Sequence, residues 1–462
     1  MAPLPPNPIR IGNASAFWGD SIDAPARLVR EAPELDVLTL DYLAEVSMSI
    51  LAKQRQRDPA AGYARDFVEV IASLAPFWKQ GRKLRVVTNA GGLNPRGCAQ
   101  ACAGVLRNAG CAGLKIGIVS GDDVAPLLRD AYIRDPHTDA FRHLETGAGL
   151  ETIIDRLVTA NAYVGAAPVA DALGQGADIV VTGRVADPSL TVGPCIAHFG
   201  WNAADYDRIA GATVAGHLIE CGTQVTGGIS TDWLELPPGP DIGYPIVEVY
   251  PDGSCVVTKP AGTGGAVTER TVKEQLLYEI GDPGNYLSPD ATVSFLMLSV
   301  TDEGHDRVRV IGATGHAAPE TYKVSATYRA GYRAAGTLTI FGRDAAAKAR
   351  RCGQIVQNRL RAAGCEPQHF NAECLGAGAV APGVMNLDTR GAMEVVLRLS
   401  AGDPRQSVIE RFTREIAPLV TTGPQGTTGY AEGRPPVREV FGYWPTLIPR
   451  EQVTPRVEMM EV

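Results

Sequence analysis

The segment Gly216-His217-Leu218-Ile219-Glu220-Cys221-Gly222-Thr223-Gln224-Val225-Thr226-Gly227-Gly228 is the densest polar cluster in the chain. If residues 212–221 form a helix, His217 and Glu220 are three apart on one face, where they could act as an acid and base pair or as two metal ligands. Cys221 falls at the helix end beside Gly222, a position from which a thiol could act as nucleophile. Gly227 and Gly228 open the following turn, whose backbone N–H groups could meet a developing oxyanion. The competing reading is a buried helix end whose glycines allow a tight turn, with His217 hydrogen-bonded in the core.

Other residues have chemistry to offer at predicted strand ends. Arg184, in Thr182-Gly183-Arg184-Val185-Ala186-Asp187, follows a buried strand, a costly place for a guanidinium unless it is paired. It could bind a substrate carboxylate or phosphate, or clamp Asp187 structurally. Asp122 and Asp123 could hold a divalent cation or a hydroxyl-bearing ligand, or one of them could cap the next segment. Asn89 and Asn94 flank Gly91-Gly92 in a loop that could orient a carbonyl, although turn chemistry alone favours the same residues. Asp20 lies in a similar turn, Gly19-Asp20-Ser21-Ile22-Asp23. Lys259 precedes a loop with Gly262, Gly264 and Gly265 that could cradle phosphate or could be a plain connection.

The elements that would position these residues alternate. Short apolar runs at 9–16, 37–40, 84–88, 114–120 and 177–182 read as buried parallel strands. Helix-period stretches at 24–32, 43–57, 63–80, 98–110, 150–163 and 169–176 separate them, as in an α/β sheet with right-handed crossovers. The polar turns then line one edge, the carboxyl ends of the strands, where open α/β sheets bind ligands. Near Pro240 the character changes to hairpin-like alternation, with strands expected at 247–249, 255–259, 291–300, 308–312, 322–328 and 336–341 and helices at 272–280, 345–363 and 405–420. The expected fold is therefore α/β, with a mostly parallel sheet and flanking helices in the first half, followed by an α+β second half with antiparallel strands. The expected domains are 1–239, 240–422 and an extended arm over 423–462.

The composition narrows the function. Lys and Arg total 43 against 51 Asp and Glu, a net charge of -8, which gives no basic field for nucleic acid. The opening Met-Ala-Pro-Leu-Pro-Pro-Asn-Pro lacks the regions of a signal peptide, and no apolar run approaches the roughly 18 residues of a membrane span. A cytoplasmic protein without membrane partners is expected. Nine cysteines without paired CxxC spacing point to reduced thiols, and Cys98 with Cys102 to core packing. GxSxG, HExxH, GxGxxG and a Walker A lysine are missing, which disfavours serine hydrolases, zincins, typical nicotinamide enzymes and P-loop ATPases.

A run of motifs in order resembles the acyclic terpene utilisation protein AtuA family. They are Gly19-Asp20 with Asp23, Leu40-Asp41-Tyr42-Leu43-Ala44-Glu45, Val87 through Pro95, Gly121-Asp122-Asp123, Asn161-Ala162-Tyr163-Val164-Gly165-Ala166, Thr182 through Asp187, and the cluster at 216–228. Lys259 with Gly264-Gly265, and Glu274-Gln275-Leu276-Leu277-Tyr278-Glu279, extend the match. The resemblance implies catabolism of branched or terpenoid acids as coenzyme A thioesters, in the setting of biotin-dependent carboxylation and hydration, without assigned catalytic residues. Longer members add a small C-terminal domain, which this chain is expected to lack.

The leading expectation is thus an enzyme of lyase or hydratase type acting on an acyl-CoA or carboxylic acid, and for an enzyme of this size a homo-oligomer is expected. Glu220 and His217 would supply acid and base, with Cys221, Asp187 and Asn89 as further catalytic candidates. Arg184, Asp20, Asn94, Asp122, Asp123, Gly227 and Gly228 would bind substrate, and Lys259 with Gly262, Gly264 and Gly265 the coenzyme A phosphates. A second expectation is a divalent metal held by some of Asp122, Asp123, Asp187, His217 and Glu220, acting on a free acid. A third is a non-catalytic acyl-CoA-binding partner of an acyl-CoA carboxylase.

Overall fold

The computed structural model describes residues 7–44, 46–239, 241–384 and 391–462. The motif residue Glu45, and Pro240, where the sequence changes character, lie outside the described residues. Two compact units are formed, one from residues 1–327 with 443–462 and one from residues 328–442.

The first unit is built on a mixed ten-stranded sheet. Its centre is parallel: β1 (Ile9–Asn13), β2 (Val37–Leu40), β3 (Arg85–Thr88), β4 (Lys115–Ser120) and β6 (Ile179–Thr182) lie in the order β1-β2-β3-β6-β4. Val37-Leu38-Thr39-Leu40 and Ile179-Val180-Val181-Thr182 are buried throughout, as a sheet covered on both faces requires. One apolar cluster packs around Val87, Val180 and Val247, the other around Val86, Ile116 and Val181, so successive residues of a strand feed opposite faces.

The flanks are antiparallel, and they come from the second half of the sequence. β7 (Ile246–Val249) pairs with β1 and with β8 (Cys255–Thr258), and strands Val308–Ile311 and Ser299–Asp302 continue that edge. At the opposite edge Arg456–Glu461 pairs with β4. The hairpin expected after Pro240 therefore forms, but it extends the first-half sheet. Strands of the 423–462 segment also occur, at Thr427–Thr428 and Arg438–Pro449.

The expected helix at 150–163 is a correction. Two 3-10 turns are followed by β5 (Leu157–Ala162), whose continuation donates from Tyr163 N–H to the Lys323 carbonyl at 2.9 Å. Local apolar spacing lost here to pairing with a distant strand. Expected strands at 322–328 and 336–341 are parts of one strand, Thr321–Phe341. Within the second unit that strand pairs with Glu394–Asp403, itself paired with His369–Leu375. The helices Ala345–Ala362 and Gln406–Thr413 share an apolar cluster with these strands.

All nine cysteines are free, and no helix of the described residues is long and apolar enough to cross a membrane.

One buried helix matters most for the site. Tyr206–Glu220 is enclosed from Ile209 to Ile219, which its run of small residues permits. A methyl group on Gly211 would lie 2.0 Å from the Gly253 carbonyl oxygen, so the β7–β8 turn rests directly on the helix backbone. Gly211→Ala is therefore expected to lower stability by about 1–3 kcal/mol through overpacking, read as a reduced urea midpoint with unchanged slope.

Candidate active site

Asn13, at the end of β1, donates from its amide to the carbonyls of Ile219 and Glu220 at 2.6 and 2.9 Å. These carbonyls have no partner within the helix, so the strand end holds the helix end in place. His217 and Glu220 are thereby fixed. Nε2 of His217 is 2.9 Å from the Gln275 carbonyl oxygen, and Nδ1 is 3.0 Å from Oε1 of Glu220. A carbonyl only accepts, so Nε2 carries a proton. When Glu220 is ionised, Nδ1 is also protonated and the ring is an imidazolium; when Glu220 holds the shared proton, the ring is neutral.

Burial works against the His217 charge, but the hydrogen bond and charge of Glu220 prevail and raise its proton affinity. Tyr286 and Phe295 stand 6.2 and 5.9 Å from the imidazole, centre to centre. Oε2 of Glu220 has no hydrogen-bond partner among the described residues.

His217 and Glu220 border a cavity of about 390 Å³ in the first unit, together with Asp187, Glu279, Tyr286 and Lys323. Leu144, Leu287, Leu447 and three prolines, Pro188, Pro289 and Pro319, supply apolar wall. Burial, reinforced by the charges of Glu220, Asp187 and Glu279, holds the Tyr286 phenol well above its ordinary range, so it stays a donor.

A polar network lies behind the Asp187 wall. Arg184 is 2% exposed. Its guanidinium donates to the Leu43 carbonyl, pairs with Asp187 at 3.0 Å and lies 4.2 Å from the Tyr163 ring centre. Burial disfavours its charge, but Asp187, Tyr163 and Asp41 raise its proton affinity above the ordinary value. A bridge between Val164 and Val185 sets Tyr163 beside Arg184, and the backbone bond to Lys323 brings that ammonium to 5.2 Å from the same ring.

Of the residues singled out from sequence, Asp187, His217 and Glu220 meet at this cavity. Arg184 stands behind it, with Asp122 accepting from the Arg184 backbone N–H and from Asn161 at 2.9 and 2.8 Å. Asn89 is spent elsewhere, accepting from Tyr42 N–H and donating to Asp41, each at 2.7 Å. Asn94 caps the helix Pro95–Asn108, Asp123 accepts from Ala125 N–H, and Asp20 accepts from the Tyr244 hydroxyl at 2.6 Å. Cys221 is half-buried, and burial pushes its thiol up to about 12, a poor state for a nucleophile.

Gly227 and Gly228 lie in a turn closed by the Gly228 N–H donating to the Thr223 carbonyl. Lys259 donates to the Thr263 carbonyl at 2.9 Å and pairs with Asp306 at 3.1 Å, so it braces its own loop. Gly262 borders a separate cavity of about 90 Å³, while Gly264 and Gly265 pack against Gly239 and Thr226. Among the described residues, no three or more of His, Cys, Asp and Glu are grouped to hold a metal ion.

Sequence reasoning passed over Asn13, Gln275, Tyr286 and Lys323. Gln275 sat in a motif that carried the family resemblance; Tyr286 lies in a two-residue strand paired locally with Val293, and Lys323 reaches the cavity through a backbone bond with the distant Tyr163.

The family model described as "Acyclic terpene utilisation family protein AtuA" matches residues 9–459. The chain belongs to that family, which connects it with acyclic terpene utilisation. Neither a curated protein nor a solved structure gives a significant match.

Burial pushes the carboxyls of Asp41 and Asp122 up to about 6, against the pull of Arg184 on Asp41 and of hydrogen bonds on Asp122. Between about pH 4 and 6 the native chain then holds more protons at these groups than the unfolded chain, so their contribution makes stability fall as pH rises through that window. Urea midpoints measured across it should decline less in Asp122→Asn than in the parent.

Proposed function

We propose that this protein is a lyase of hydratase type, acting on a branched or terpenoid carboxylic acid presented as its coenzyme A thioester. The observation that carries the reading is the His217–Glu220 pair at the cavity, its outer nitrogen committed to Gln275 so that one shared proton can lie on either partner. Family membership supplies the terpenoid acid, and the apolar wall suits a branched acyl chain. A cavity of about 390 Å³ takes the acyl part, with the bulk of the coenzyme outside.

Adding water across a conjugated thioester needs a base for the water proton and donors for the enolate oxygen. Glu220 takes the proton as the water oxygen bonds to carbon 3, and His217 holds Glu220 in position and balances its charge. The Tyr286 hydroxyl and the Lys323 ammonium stabilise the enolate oxygen. Arg184 acts at one remove, by holding Asp187 and Tyr163 in the wall.

Glu220→Gln keeps the shape of the side chain and removes the base. Its kcat/KM for hydration of branched unsaturated acyl-CoA thioesters should fall by about 10²–10⁴-fold, with the circular dichroism spectrum unchanged. Turnover equal to that of the parent would overturn the assignment.

A further inference from the structure

The helix Glu269–Leu277 ends at Tyr278, and the next residue, Glu279, lies in the left-handed region at φ 59°. Glycine is the usual residue just past a helix end because it enters that region without steric cost. The chain has Gly281 two residues further on, yet keeps a glutamate at the strained position. Backbone strain of this kind persists where surrounding structure holds a side chain in a required direction.

Three further observations bear on Glu279. Its side chain borders the same cavity as Glu220, His217 and Tyr286. Glu279 is exposed, and among the described residues its carboxylate has no hydrogen-bond or ion-pair partner. The helix that leads to it also supplies the Gln275 carbonyl that orients His217.

We infer that Glu279 is a second catalytic carboxylate, which exchanges a proton with carbon 2 of the acyl thioester while Glu220 exchanges one with the oxygen at carbon 3. The inference rests on the hydratase reading above. In hydration, Glu220 takes a proton from water as the water oxygen bonds to carbon 3, and the electrons of the carbon 2–carbon 3 double bond move to the thioester oxygen. The enolate then re-forms its carbonyl as carbon 2 takes the proton of protonated Glu279. One water is consumed, Glu220 ends protonated and Glu279 ionised, and exchange with solvent restores both. Dehydration runs the same steps in reverse.

The test uses the full chain in D₂O with a panel of branched 3-hydroxyacyl-CoA thioesters, following deuterium at carbon 2 and loss of water separately. The parent should show both. Glu220→Gln should keep carbon 2 exchange while elimination falls at least about 100-fold, and Glu279→Gln should lose both to a similar degree. Glu279→Gly should unfold at the same temperature as the parent or higher, since glycine relieves the left-handed strain.

Carbon 2 exchange at the parental rate in Glu279→Gln overturns the inference. A lowered unfolding temperature in Glu279→Gly also overturns it, because the residue would then serve the backbone. A parent that neither exchanges nor eliminates with any thioester overturns the hydratase reading itself, and the role of Glu279 with it.

Discussion

A guanidinium enclosed at the carboxyl ends of a parallel sheet is tolerable only if every direction around it is answered. Arg184 meets this with a carbonyl from the β2 loop, a carboxylate three residues ahead and an aromatic face from the end of β5. Removing one partner from such a charge costs far more than the net worth of the pair, because the remaining charge is stranded. The loops after β2, β4, β5 and β6 are therefore tied to one another through this residue, with Asp41 and Asp122 as neighbouring acids. The Asp187 wall of the cavity inherits its position from that arrangement.

The cavity itself depends on a second constraint of the opposite kind, close backbone approach. Small residues let the Tyr206–Glu220 helix sink against the sheet, and Asn13 captures its last carbonyls. His217 and Glu220, three residues apart and hydrogen-bonded to each other, then meet the cavity at a helix end held by those bonds. Glu279 and Tyr286, from one stretch of chain, and the distant Tyr163 and Lys323 complete the walls. Rigid placement of a few polar groups in an otherwise apolar recess is what general acid–base chemistry requires.

Much of the central fold was legible because its signals are local. Val37–Leu40 and Ile179–Thr182 are short apolar runs bounded by polar turns, and they are buried parallel strands. The helix spacing of His217 and Glu220 likewise held. Residues 150–163 misled because Leu157–Ala162 takes its conformation from a partner strand far along the chain. The hairpin at 246–258 was readable as a hairpin, but nothing in its alternation says that its outer edge belongs on β1. Asn89 and Lys259 carried the right chemistry in the right turns, and only three-dimensional contacts reveal that those turns consume it.

The pairing of Arg456–Glu461 with β4 has a consequence for how the chain matures. β4 is made well before residues 456–461, and its outer hydrogen-bonding edge stays open until they leave the ribosome. Meanwhile residues 328–442 have all emerged and can form their own apolar cluster. An unpaired edge is a template for association with other chains. Nascent chains halted anywhere in the second unit would thus carry an open sheet edge, and residues 456–461 act as a molecular selvedge that closes it only once they have been made.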